Sequence, residues 1–262
     1  MKNIKKMSTN DDSENSNVLK AGQIISRDFD KKFTLQQKFF AEFLGTSILV
    51  FVVTGIPLFS YIKQNLDKNF DPHAYNGGYE GALVLTSIIY IFGRVSGGHF
   101  NPAVTIPMYM RCKISFGECT YYIIAQILGG FFGTILVALC SQGNFTSLCP
   151  NLFEEYNNWS CFSCFFCECI LTFILVSVIF ASTVKKNNFG NLSGFIIGTT
   201  LYFLGIVGNN VSGASLNPAR SIAPAIIMEF NGESKPIKQL WLYILGPICG
   251  GILAGYTHKI FE

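Results

Sequence analysis

Two apolar runs in this chain, residues 102–110 and 218–228, are too short to cross a bilayer, yet each sits among segments long enough to do so. Each begins with the same tripeptide, Asn101-Pro102-Ala103 in the frame SGGHFNPAVT and Asn217-Pro218-Ala219 in SGASLNPARS. Asn before Pro is a helix opening, because the Asn side chain caps the first turn and Pro at the first helical position has no N–H to leave unpaired. A Gly/Ser-rich stretch precedes each run, and non-helical backbone survives at membrane depth only where it lines a cavity or is buried in protein. Two short helices that enter from opposite faces and meet at the midplane satisfy that condition.

The membrane itself follows from composition. Half of the 262 residues are hydrophobic and only 13% are charged, and the charges fall between the apolar runs. A hydrocarbon core of ~30 Å takes ~20 apolar residues as helix. Six segments qualify, residues 37–60, 79–96, 116–140, 160–184, 190–208 and 238–258, the second and fifth being short. The expected fold is an all-α membrane protein with six transmembrane helices plus two re-entrant half-helices. The lipid bilayer is thus an expected partner, and nucleic acid is not.

With the N-terminus inside, fourteen Lys and Arg residues face inward and Lys63, Lys68, Lys235 and Lys238 face outward, leaving Arg220 for the interior. This bias predicts cytoplasmic N- and C-termini. Residues 1–35 are polar and mixed in charge and are expected to be a disordered cytoplasmic tail. No apolar stretch follows the first lysines, so no signal peptide is expected.

The duplication is wider than the tripeptides. EFLGTSILVFVV from Glu42 matches ECILTFILVSVI from Glu168, and YIIAQILGG from Tyr122 matches YILGPICGG from Tyr243, so three landmarks recur in one order at offsets of 126, 116 and 121 residues. Repeat one covers about 36–140 and repeat two about 160–259. Three spans plus one half-helix per repeat is an odd count, which forces an inverted repeat with the site at the midplane. These paired motifs, with the glutamates of the first and fourth spans, resemble the aquaporins and aquaglyceroporins of the major intrinsic protein family over residues 36–258.

The resemblance implies the aquaporin fold, a channel domain over 36–259, and a passive channel for water that excludes protons and ions. Asn101 and Asn217 are expected to cap the half-helices with their side-chain oxygens and to leave their NH2 groups free for the lumen. Carbonyls of Gly97, Gly98, His99, Gly213, Ala214 and Ser215 are expected to line the file. Glu42 and Glu168, ionisable groups within spans, are functional by default. The family reading is that each carboxyl accepts N–H bonds from the opposing re-entrant loop. His99 is expected to play a similar supporting part.

Arg220 falls where aquaporins place their filter arginine. Counted from the motifs, the other filter positions are Gly81, Gly205 and Ala214, all small where strict water channels carry bulky or polar groups. That predicts a wide constriction. Ser221, Ala225 and Tyr243 resemble the water type, whereas Ile244 replaces a tryptophan common in water channels. The resemblance therefore implies water permeation and leaves glycerol, urea and similar neutral solutes open. A glycerol-type facilitator with low water flux and a secondary transporter are the alternatives, and the second would need titratable groups at the midplane. The family also implies a homotetramer. No catalytic constellation and no cofactor are expected.

Cys161, Cys164, Cys167 and Cys169 have Cys-x-x-Cys spacing, but they open an apolar span where Cys acts as a small hydrophobe, so no metal is expected. A Cys149–Cys161 disulfide and glycosylation at Asn144 and Asn158 are open readings of the loop between the repeats.

Overall fold

A computed structural model describes residues 32–69, 79–143, 148, 151–152, 160–184 and 190–261. Nearly all of the expected tail, together with Asn144, Cys149 and Asn158, lies outside those residues. Eight α-helices are present among the described residues, and no strand: α1 (Leu35–Leu66), α2 (Tyr79–Ser96), α3 (Pro102–Met110), α4 (Phe116–Cys140), α5 (Cys161–Ile179), α6 (Ser193–Gly208), α7 (Pro218–Phe230) and α8 (Lys235–Ile260).

Four of these, α1, α4, α8 and α5 with the wider π turn Phe180–Val184 that extends it, are long and apolar enough to cross a membrane on those grounds alone. Helices α2 and α6 are the short spans, with 18 and 16 residues. The half-helices α3 and α7 have 9 and 13 residues, about 14 and 20 Å at 1.5 Å per residue, so neither spans. Local chemistry sets the starts. Ser115 and Glu118 form a reciprocal capping box at α4, Ser160 accepts from Ser163 N at 3.1 Å at α5, and Asn101 and Asn217 precede the prolines of α3 and α7.

The packing obeys the two-fold expected of an inverted repeat. Helix α1 packs on α4 and α2, and α5 packs on α8 and α6; α3 lies against α8, α7 lies against α4, and α2 meets α6. Exchanging the two halves leaves that set of partners unchanged. Each half-helix therefore docks on the last helix of the other half.

Paired glycines make that docking possible. A Cβ on Gly129 would lie 2.5 Å from Phe43 O of α1, and one on Gly130 would lie 2.6 Å from Ala219 O of α7. Their counterparts Gly250 and Gly251 would collide with Cys169 O of α5 and Ala103 O of α3. One glycine of each pair thus admits the neighbouring span, and the next admits the half-helix of the opposite repeat by backbone-to-backbone contact.

The polarity is inverted relative to a soluble protein. Glu42, Glu168, Gln126, Thr46 and Thr172 are fully buried, whereas Phe40, Leu139, Phe162, Phe166, Phe203 and Phe230 are each more than half exposed. An apolar exterior this extensive faces lipid or another subunit. Between the two polar centres the core is apolar, with Leu49, Val53, Ile88, Leu171, Leu175 and Ile197 surrounding Phe100 and Leu216. Those last two residues immediately precede the capping asparagines, so the core grips each re-entrant loop just before its half-helix begins.

Candidate functional site

Each re-entrant loop has the same backbone design. Positive φ occurs at Gly97 (+91°), Gly98 (+68°) and Phe100 (+49°), and again at Gly213 (+79°), Ala214 (+45°) and Leu216 (+54°). This left-handed path, costly for the non-glycine members, is held by a buried carboxyl behind the loop. Glu42 accepts from Ser96 Oγ (2.6 Å), His99 N (3.0 Å) and Phe100 N (2.7 Å), and also from Gln126 Nε2 (2.7 Å). Glu168 accepts from Ser212 Oγ (2.7 Å), Ser215 N (2.9 Å) and Leu216 N (2.8 Å). Each glutamate therefore holds the loop of its own repeat, not the opposing one. The reason is chain geometry, since the first span of each half packs beside the second span from which that half's loop emerges.

Tyr122 and Tyr243 complete the match by donating to Ser96 O and Ser212 O, both at 2.7 Å. With the N–H groups directed back to the carboxyls, the carbonyls of Gly97, Gly98, His99, Ala214 and Ser215 receive no hydrogen bond from the described residues. Gly213 O differs from its expected part, because Asn151 Nδ2 donates to it at 2.9 Å.

The asparagines cap as expected. Asn101 Oδ1 accepts from Ala103 N at 2.8 Å, and Asn217 Oδ1 accepts from Ala219 N at 3.0 Å and Arg220 N at 3.4 Å. Their NH2 groups are not wholly free, however. Asn101 Nδ2 donates to Leu216 O at 2.7 Å, and Asn217 Nδ2 donates to Phe100 O at 2.9 Å. Each amide spends one hydrogen on the opposite loop, clasping the two half-helix tips together, and its second hydrogen meets no acceptor among the described residues. Pro102 and Pro218 open α3 and α7, and Ala103 and Ala219 are fully buried against the paired glycines.

The side chains flanking the caps are where the halves diverge. In repeat one, His99 Nδ1 and Thr105 Oγ1 are 3.1 Å apart, Gln126 Nε2 donates to Thr105 Oγ1 at 2.9 Å, and Tyr122 packs edge-on against the His99 ring. In repeat two the equivalent positions are Ser215 and Ser221, whose hydroxyls are 2.5 Å apart.

Arg220 occupies the first turn of α7 and donates through a guanidinium N–H to Asn151 Oδ1. Gly81 stands on α2, where an added Cβ would sit 3.5 Å from Val53 Cγ1 and 3.9 Å from Leu201 Cδ2. Gly205 is buried on α6. The Ala214 methyl faces Gly208 of α6, where a Cβ would be 3.1 Å away. None of these three carries an atom beyond Cβ. Asn151 is the participant that sequence reasoning missed, because one Asn among several in the linker carries no local signal.

The cysteine run contributes packing. Cys164 is buried with its Sγ 3.3 Å from Val211 O, and Cys161 is an exposed free thiol.

Comparisons with known proteins bear on the family and the fold. A family model described as Major intrinsic protein matches residues 30–258. The chain is 38% identical to the glycerol uptake facilitator protein-like 6 of Lactiplantibacillus plantarum, over 86% of this chain and 97% of that protein. It is 34% identical to Nodulin-26 of Glycine max, over 86% and 77%, and 31% identical to the probable aquaporin AqpM of Archaeoglobus fulgidus, over 86% and 97%. Its fold matches the X-ray structure of the aquaglyceroporin from Plasmodium falciparum with a TM-score of 0.72 at 22% identity, covering 86% of this chain and 96% of that one.

Proposed function

The chain belongs to the major intrinsic protein family, and on that premise we propose that it is a passive channel for water and small neutral solutes that excludes protons and ions. The observation that carries this reading is the reciprocal clasp, in which Asn101 and Asn217 each retain one amide hydrogen at the meeting point of two half-helices. A water molecule that accepts from both amides has no lone pair left for its neighbours in the file. The hydrogen-bonded chain reverses polarity there, and proton hopping stops. The aquaporin pore is itself a standard illustration of such selectivity.

Two further features support the reading. The N-termini of α3 and α7 converge on the same place, each equivalent to about +0.5 of an elementary charge, and Arg220 adds a permanent positive charge near the mouth. A cation meets repulsion as well as a dehydration cost. Neutral solutes can exchange their hydration for the unpaired loop carbonyls.

Asn217→Asp is the sharpest test, since it keeps the capping oxygen and replaces the donor with an acceptor. The change also turns the clasp to Phe100 O into an oxygen–oxygen contact, so the donor lost to the passing water, worth ~1 kcal/mol, and the opened clasp together are expected to lower water permeability of reconstituted vesicles by about fivefold or more at equal protein load. Unchanged water flux with intact protein would show that Asn217 does not face the file.

The fractionation of Lys and Arg supports cytoplasmic termini, and the broad apolar exterior supports a symmetric assembly, with one pore per subunit in a homotetramer. Native mass measurement in mild detergent is expected to give a four-chain species, and a single-chain mass under the same conditions would refute the homotetramer.

A further inference from the structure

Gly208, the last residue of α6, lies outside both motifs, yet the loop that follows is built around it. Its carbonyl accepts from Val211 N (3.0 Å), Ser212 N (2.9 Å) and Gly213 N (3.2 Å), so the chain turns about that one oxygen before it reaches Ala214. The missing side chain is used as well. A Cβ on Gly208 would overlap Leu171 Cδ1 of α5, and it would lie 3.1 Å from the Ala214 methyl and 3.5 Å from Ala214 Cα. The Ala214 methyl is thus seated in the wall of α6, while its backbone holds a φ of +45°.

The pseudo-two-fold shows what the seat is for. At the offset of 116 residues between the two motifs, Ala214 corresponds to Gly98 and Gly208 corresponds to Phe92. Repeat one therefore has no methyl at the loop position and no notch at the end of its second span. Its loop runs equally close to that span, because a Cβ on Gly98 would come within 3.3 Å of Gly93 Cα and of Phe100 Cε2. Phe92 occupies the place of the notch and meets the Phe100 ring edge-on at 6.4 Å. One glycine makes room for each contact, in the loop of repeat one and in the helix of repeat two.

From this exchange we infer that Gly208 is a positioning residue that sets solute size from outside the lumen: by lacking a side chain it keeps the Ala214 methyl in the helix wall and the Ala214 backbone back from the file. The inference rests on the channel reading above, with Ala214 at the filter. A methyl at position 208 disturbs its two neighbours unequally. Leu171 Cδ1 is the free end of a flexible side chain and turns aside, whereas Ala214 has to give by a few tenths of an ångström together with its backbone. The flanking loop is pinned, since Ser215 N is bound to Glu168 and Gly213 O to Asn151 Nδ2. Ala214, itself partly exposed, moves away from α6 and towards the file. A narrower opening excludes a three-carbon polyol before it excludes water.

The test is the ratio of glycerol to water permeability in reconstituted vesicles, which loss of folded channels does not move because it lowers both fluxes alike. Gly208→Ala is expected to lower the ratio about threefold or more. In an Ala214→Gly background the same substitution is expected to leave the ratio of that background unaltered, since no methyl remains to be unseated. If the Gly208→Ala chain fails to reach the vesicles, it is combined with Leu171→Val, which withdraws the carbon crowding position 208, and the ratio is compared with that of Leu171→Val alone. An unchanged ratio, or an equal fall in both backgrounds, overturns the inference. Unmutated chain that passes water but no glycerol would instead overturn the wide filter, and one that passes neither would overturn the channel reading.

Discussion

Glu42→Ala is expected to yield no stable channel. The side chain is fully buried, and four donors converge on it, from Ser96, His99, Phe100 and Gln126. Removing the carboxyl strands all four away from water, at about 1–3 kcal/mol each. The sum of roughly 4–12 kcal/mol rivals the whole stability of an ordinary domain, about 5–15 kcal/mol. Glu168→Ala strands three donors and is expected to fall slightly short of that. Glu42→Gln keeps one acceptor oxygen but turns an NH2 towards a donor, so an intermediate melting temperature is expected. Fluorescence-detected size exclusion after a heating series measures this order directly. A Glu42→Ala protein that elutes and melts like the unmutated chain would show that the loop is held by other means.

The second large effect is on solute range. Filling the filter with Gly205→His together with Gly81→Phe is expected to lower glycerol permeability at least about tenfold, while water permeability stays within about threefold. The asymmetry follows from size, since a ring at each position removes the width that glycerol needs while a single water file still fits. Position 81 has room for the change, because the nearest atoms to an added Cβ are at ordinary contact distance. Vesicles bearing the unmutated chain should swell in glycerol clearly faster than empty ones. If they do not, the small residues at 81, 205 and 214 do not make a wide filter.

Much of the architecture was readable because the bilayer enforces it. The start and end of α3 agree with the expected run 102–110, and α7 runs two residues beyond 228, since an Asn-Pro start is local chemistry. Span ends were less legible. Helix α1 continues to Leu66, past the expected residue 60, because hydropathy reports where the hydrocarbon stops and not where backbone hydrogen bonding stops. The end of α5 changes to a wider turn at Phe180–Val184 and α6 starts at Ser193 after a short 3-10 turn, details with no signature in apolar composition.

The site shows the same division. Asn101, Asn217, Glu42 and Glu168 could be found from repetition, because a duplicated polar residue inside an apolar span stands out at fixed offsets, whereas Arg220, whose counterpart in repeat one is Val104, was legible only through the family resemblance. The chain alone therefore determined the inverted repeat, the two half-helices and the groups that face one another at the midplane. Tertiary structure alone decided which loop each glutamate grips, how many amide hydrogens the asparagines keep, and that Asn151 reaches Arg220. The physical reason is that these depend on hydrogen-bond directions between segments 44 to 117 residues apart, and direction in space leaves no period, spacing or composition along the chain.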